Sequence, residues 1–282
     1  MQQDKEVISQ WSESAPYWEK HRTVIREMFR PVTQALIADA EISSGHSVLD
    51  VAMGPGEPAL SIADVVGPQG KVVGTDAVAE MVEAARREGG RRGLRNADFE
   101  VAFADRLPFA ANRFDAVVSR FGVMFFPSPG DGVREMLRVL KASGRMALAV
   151  WHYAERNPFH SKVSQIVEKY ADSPAPIPDA PDAFRFAKPG KLLSILQSAG
   201  ATAVSERLLQ FSIRASIPVE DFWTLRSEMS EKLRSKLSRL PKTKLAELER
   251  EVVEAFREYE SEGAIRFPAE VLIVSGGRSV SE

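Results

Sequence analysis

Apolar residues recur along this chain with two different periods. In the first 46 residues Val24, Ile25, Met28, Phe29, Val32, Leu36 and Ile37 fall three or four apart, the spacing of one helix face. The Ser43-Ser44-Gly45 turn closes that helical run. From Ser47 to Trp151 short apolar runs alternate with helical patterns. Strands are expected at Ser47–Val51, Lys71–Asp76, 98–102, 114–119 and 145–151, with helices at about 57–66, 79–89 and 132–141. Strands separated by helices imply a parallel sheet with right-handed crossovers.

Beyond Trp151 the pattern loosens. Residues 158–171 fit a helix, and the four prolines of 173–181 demand a loop. A helix is expected at 188–199, capped by Gly200, and a strand at 203–214. Residues 218–262 are dense in charge, with Leu245, Leu248, Val252, Phe256 and Tyr259 along one face. Those charges read as the solvated side of amphipathic helices. A last strand is expected at 265–275, where Pro268 marks a bulge or an edge. The pattern gives an α/β, Rossmann-like, doubly wound fold with a mostly parallel seven-stranded sheet. An N-terminal helical segment or lid spans 1–44, the Rossmann-like domain 45–214 and 263–282, and a helical cap insertion 215–262.

Composition removes several function classes. The net charge of −2 leaves no electrostatic footprint for nucleic acid or an anionic membrane. The chain has no cysteine, so disulfides, thiolate metal sites and cysteine nucleophiles are excluded, which suits a reducing cytoplasm. The longest apolar run, 146–151, is far short of the ~20 residues that span a bilayer. The polar residues 1–10 carry no secretory h-region. No metal-ligand spacing is visible.

The chemistry concentrates in Val48-Leu-Asp-Val-Ala-Met-Gly-Pro-Gly-Glu-Pro-Ala-Leu60. An apolar strand runs into Asp50, then a Gly54-x-Gly56 turn, then a helix start. A second acidic residue, Asp76, ends another apolar strand about 20 residues after the turn. This is the layout of a nucleotide-type cofactor site at the edge of a parallel sheet. Two cofactors compete for it. A dinucleotide sets its pyrophosphate on the helix N-terminus, where Asp50 and Glu57 would repel it. S-adenosylmethionine carries an ammonium and a sulfonium, which a carboxylate favours. Asp76 serves either, because both carry a ribose diol.

At these residues the chain resembles the class I S-adenosylmethionine-dependent methyltransferases, within them the ubiquinone/menaquinone-biosynthesis C-methyltransferases and related small-molecule enzymes. The resemblance rests on 48–56, Val73-Gly-Thr-Asp76 with Met81, Ala104-Asp-Arg-Leu-Pro-Phe109, 114–122, 135–141 and Gly144. It implies a cofactor, S-adenosyl-L-methionine, that leaves as S-adenosyl-L-homocysteine. Asp50, Ala52, Gly54 and Gly56 would surround its methionine part and Asp76 its ribose. Ala77 and Met81 would line the adenine pocket, with Ala104, Asp105 and Arg106 at the adenine edge. Arg120 and Phe121 would stand where the sheet opens, and Trp18 on a helix folded over the cofactor. Ala52 departs from the family, which places glycine there, and its methyl group is expected to narrow backbone approach to the ligand.

Methyl transfer from a sulfonium needs alignment and exclusion of water, and a base only when the acceptor loses a proton. His152, just after the strand ending at Trp151, is the first candidate base or acceptor-orienting group, and His160 the second. Trp11, Tyr17, Trp18, Tyr153, Phe159, Phe184, Phe186, Phe222 and Trp223 would give an apolar lid suited to a small hydrophobic or aromatic acceptor. The methylated atom, O, N or C, stays open, as does monomer against homodimer. An NAD(P)-dependent oxidoreductase and a non-catalytic S-adenosylmethionine-binding protein are the alternatives.

Overall fold

The computed structural model describes residues 2–172 and 177–278; 173–176, within the expected proline loop, lie outside the described residues. The helical start is two helices, α1 (Gln2–Lys20) and α2 (Arg22–Asp39), separated at His21. The apolar stripe of α2 buries Ile25, Met28, Phe29, Val32 and Leu36. That burial, more than helix propensity, holds the segment down. On α1, Ala15 packs on Val78 and Met81, with Trp11 and Trp18 against them.

The alternating region folds as β1 (Ser47–Val51), α3 (Ala59–Val66), β2 (Lys71–Asp76), α4 (Ala79–Arg91), β3 (Ala97–Val101), β4 (Phe114–Arg120), α5 (Pro129–Val139) and β5 (Leu140–Trp151). Several boundaries differ from expectation, and two of them have a visible cause. Helix α3 begins at Ala59, because Pro58 stands at its N-cap and Glu57 before it. Strand β5 begins at Leu140, which pairs with Phe114 across a register shift, so no helix reaches Lys141.

The remainder is α6 (Pro158–Val167), α7 (Lys191–Ser198), β6 (Thr202–Ala215), α8 (Val219–Met229), α9 (Glu231–Ser238), α10 (Lys242–Phe256), β7 (Glu260–Ser261) and β8 (Ala264–Gly277). The strand order is β3-β2-β1-β4-β5-β8-β6. A two-residue strand, β7, pairs with β8 and makes an eighth; it is too short to leave a periodic signal. Pairs among β1–β5 are parallel, and β8 runs antiparallel to both β5 and β6. Pro268 pairs with Ser212 in unbroken register, and β5 joins β8 only from Val271 onward. It therefore sits where one side of β8 has no partner strand, an edge and not a bulge.

Central strands carry continuous apolar runs because helices cover both faces. Val48, Leu49, Val117, Val118 and 146–150 are inaccessible to solvent. The charged C-terminal helices enter the same core: the Phe222 ring lies 5.0 Å from Phe256, 4.9 Å from Phe267 and 5.9 Å from Phe159 of α6. Phe186 and Trp223, expected in a lid, are likewise buried. No described helix is long and apolar enough to cross a membrane.

Candidate functional site

The chain leaves β1 outward through β2 and β3, then crosses back to β4, which also pairs with β1. That reversal opens a crevice at the C-terminal ends of β1 and β4, where ligands bind in open α/β sheets. Asp50 stands one residue before the end of β1, fully buried. Its Oδ2 accepts the Ala59 N–H of α3 at 2.8 Å, so a protein carboxylate already occupies that helix N-terminus. Its Oδ1 is buried with no hydrogen-bond partner. Burial pushes Asp50 up to about 7, against the pull of Arg120 and the Ala59 N–H. Ser119 on β4 also carries a buried hydroxyl without a partner.

Glu57 does not offer the open charge expected of it. Its carboxylate pairs with Arg92 at 2.9 Å and accepts from Ser61 at 2.5 Å. The electrostatic case against a pyrophosphate therefore rests on Asp50 alone, strengthened by its position at the helix end.

Across the turn, Asp76 Oδ2 accepts the Gly54 N–H at 2.9 Å and Oδ1 accepts the Val78 N–H at 3.0 Å. These bonds pull its pKa down, but surrounding protein pushes it further up, to about 6. Each oxygen keeps a second lone pair for a hydroxyl donor. The loop after β3 is tied to the same residue, since Ala102 N–H donates to the Asp76 carbonyl at 3.0 Å. Leu107 N–H donates to Glu135 at 2.9 Å, and Arg138 donates to the Phe109 carbonyl at 2.7 Å, which fixes Leu107-Pro-Phe109 on α5. Ala104 on that loop is half-buried, while Asp105 and Arg106 are exposed. Ala77 is half-buried beside Asp76; Met81 is buried against α1. Trp18 lies over α4 and donates its Nε1–H to the Met229 carbonyl at 3.1 Å, joining α1 to α8.

Ala52 has φ +58°, a left-handed conformation that costs an alanine about 1–2 kcal/mol. Its methyl group points to Gly122: a Cβ on that glycine would sit 2.5 Å from it. The departure from the family glycine is thus received by a neighbour on the β4 side. Phe121, at φ +63°, is also left-handed. Two strained non-glycine residues flank the crevice mouth, as is common where backbone geometry serves a site.

Arg120 is tied into the protein. It donates to Thr33 Oγ1 at 2.8 Å and to the Glu57 carbonyl at 3.2 Å, and stands over the Phe29 ring. The Phe121 ring stacks on Trp151 at 4.5 Å, with planes 3° apart. Trp151 carries the wall on to His160 at 4.7 Å, which also meets Phe159 and Phe184. Burial and nearby Arg226 hold His160 well below its ordinary value, and its Nε2 has no partner. His152 lies apart from this wall: its Nδ1 is 2.8 Å from Glu270 Oε2 on β8, and its ring rests on Tyr153. The two histidines are not brought together. Trp151, Phe29, Gly122 and Arg226 were not singled out in the sequence as site residues. Arg226 left a readable signal, since it falls four residues after Phe222 and three after Trp223, on the apolar face of α8.

Residues 48–144 match the family of methyltransferase domains. With the β3-β2-β1-β4-β5 order and the Asp50–Asp76 crevice, this segment is a class I S-adenosylmethionine-dependent methyltransferase domain. Two curated relatives are aklanonic acid methyltransferase DauC of Streptomyces sp. (strain C5) and ubiquinone/menaquinone biosynthesis C-methyltransferase UbiE of Pseudomonas paraeruginosa. The first is 36% identical over 121 residues, 43% of this chain and 55% of the relative. The second is 36% identical over 137 residues, 48% of this chain and 52% of the relative. The chain spans about half the length of the curated relatives it matches. The crystal structure of YcgJ from Bacillus subtilis superposes over 88% of this chain and 98% of its own with TM-score 0.56 and 20% identity, a likeness of fold.

Proposed function

We propose that this protein transfers a methyl group from S-adenosylmethionine to a small acceptor, aromatic or hydrophobic in character. The observation that carries this reading is the state of Asp50. One carboxylate oxygen caps α3, where a pyrophosphate would have to displace it, and the other is a buried acceptor lacking a donor. An ammonium group supplies such a donor, so the residues fit this cofactor. When bound, it supplies an electrophilic methyl group on a leaving sulfonium.

In this reading Asp50, Ala52, Gly54 and Gly56 hold the methionine end and Asp76 accepts the ribose hydroxyls. Ala77, Met81, Ala104, Asp105 and Arg106 bound the adenine. Arg120 offsets the buried charge of Asp50, and Phe121 separates cofactor from acceptor. Helix α1, through Trp18, excludes water. The Phe121–Trp151 stack fixes the plane along which an aromatic acceptor aligns. Of the two histidines, His160 is the better orienting group, because its ring joins that stack while His152 is engaged by Glu270. Held neutral by burial and by Arg226, His160 resists taking up a proton, so its part is to orient the acceptor by a hydrogen bond at Nε2.

Two relatives are named for aklanonic acid and for ubiquinone and menaquinone biosynthesis. The test is release of S-adenosylhomocysteine against a panel of hydroquinones, polycyclic phenols and aryl acids. Turnover with a panel member supports the reading. Tight cofactor binding with no turnover on any would favour a non-catalytic binding protein.

A further inference from the structure

Helix α8 turns a charged residue inward. Arg226 is only 8% exposed, yet no described carboxylate pairs with it and its Nε has no hydrogen-bond partner. Its one described contact of note is the Phe159 ring, 4.3 Å from the guanidinium carbon. A buried cation without a counter-charge is costly, and such groups are normally paired. Burial alone accounts for its depressed pKa, with no neighbouring charge offsetting it.

Beside it stands a second unsatisfied group. The His160 ring packs at 4.9 Å on the same Phe159, and its Nε2 is also buried without a partner. Two side chains from different elements, α6 and α8, thus bring unpaired nitrogen to one aromatic box of Phe159, Trp151 and Phe184. Through Trp151 the box is continuous with Phe121 and the crevice mouth. The face of Phe159 is the described partner of the guanidinium, and it leaves the Arg226 Nε and the His160 Nε2 both without a hydrogen bond at the same ring. A ligand with a flat apolar body and an anionic end would satisfy all of it. Guanidinium matches a carboxylate in a planar two-pronged pair.

We infer that Arg226 and His160 form an acceptor subsite for an aromatic carboxylate, its ring against Trp151 and Phe159 and its anion on the Arg226 guanidinium. This rests on the methyltransferase reading and adds to it the charge of the acceptor. Arg226 binds and orients; His160 hydrogen-bonds to the acceptor at Nε2.

The test is calorimetric titration with 1-naphthoate and benzoate, each beside its neutral amide, with and without saturating S-adenosylhomocysteine. Wild type is expected to bind the acids at least about tenfold tighter than the amides, the size of one charge-assisted hydrogen bond. Arg226→Met should lose that preference, keep its S-adenosylhomocysteine affinity, and melt at a higher temperature because a buried unpaired charge is gone. Arg226→Lys should retain part of the preference. Equal affinity of wild type for acids and amides would overturn the proposal. So would loss of S-adenosylhomocysteine affinity in Arg226→Met, which would assign the residue to the cofactor. Failure of wild type to bind S-adenosylhomocysteine would defeat the methyltransferase reading alone; the acid–amide comparison on the ligand-free protein still decides this one.

Discussion

The crevice has two sides built on different rules. On the β1–β2 side the carboxylates are held by nearby backbone, Asp50 Oδ2 by Ala59 and Asp76 by Gly54 and Val78, with Asp50 Oδ1 left as a single open acceptor. On the side of α6 and α8, Arg226 and His160 are left unsatisfied inside an aromatic box assembled from distant segments. The first side is organised before any ligand arrives. The second is organised in its apolar walls and open in its polar groups. A site of this kind holds a constant cofactor firmly and leaves the choice of acceptor to a few buried polar atoms.

The strongest way to break this comparison is at Asp76. Asp76→Ala removes the carboxylate assigned to two ribose hydroxyls and should weaken S-adenosylhomocysteine binding at least about 100-fold, two charge-assisted hydrogen bonds of about 1.5–3 kcal/mol each. Calorimetry checks it; near-normal affinity would misplace the ribose. The next effect is steric. Gly122→Ala should destabilise the protein by about 1–3 kcal/mol, because its Cβ would meet the Ala52 methyl at 2.5 Å and Ser119 Oγ at 2.7 Å. In a denaturation cycle Ala52→Gly should recover part of that loss. Strict additivity would mean that the two residues do not share the strain. By itself Ala52→Gly should stabilise by about 0.5–1 kcal/mol, the relief of left-handed strain less the backbone entropy of glycine.

A smaller effect follows from pH. Asp50 and Asp76 are raised from 3.8 to about 7 and about 6. The folded chain keeps protons that the unfolded chain releases, so the stability these groups contribute is full below about pH 4 and is lost as pH rises through 6 and 7. Cofactor affinity should slope the other way, since an ammonium group needs ionised Asp50. It should rise from pH 6 to 8 by up to about tenfold. Asp50→Asn should flatten the binding profile; an unchanged slope would place the titrating group elsewhere.

The legibility of the two sides in the sequence differs for the same reason. The side proposed for the cofactor is local in sequence, so Asp50, Gly54, Gly56 and Asp76 could be proposed from spacing alone, and β1 and β2 were expected at their observed bounds. The side proposed for the acceptor is set by contacts across the fold. Arg226 falls among residues whose charges are mostly solvated, and only its position on the face of Phe222 and Trp223 distinguishes it. His152 is nearer the end of β5 than His160, yet the chain turns at Asn157, whose buried side chain bonds the carbonyls of Tyr153 and Glu270, and brings His160 back to Trp151. The left-handed backbone of Ala52 has no signature in an alanine, and its relief by Gly122 is a contact between strands that single-sequence periodicity does not carry.

The most direct test of the account is calorimetric titration of the purified protein with S-adenosylmethionine and S-adenosylhomocysteine at pH 8, with NADH and NADPH in parallel. Micromolar affinity for the first pair and none for the dinucleotides is the predicted result. Binding of a dinucleotide, or of neither class, would contradict the role assigned to Asp50 and with it the cofactor site.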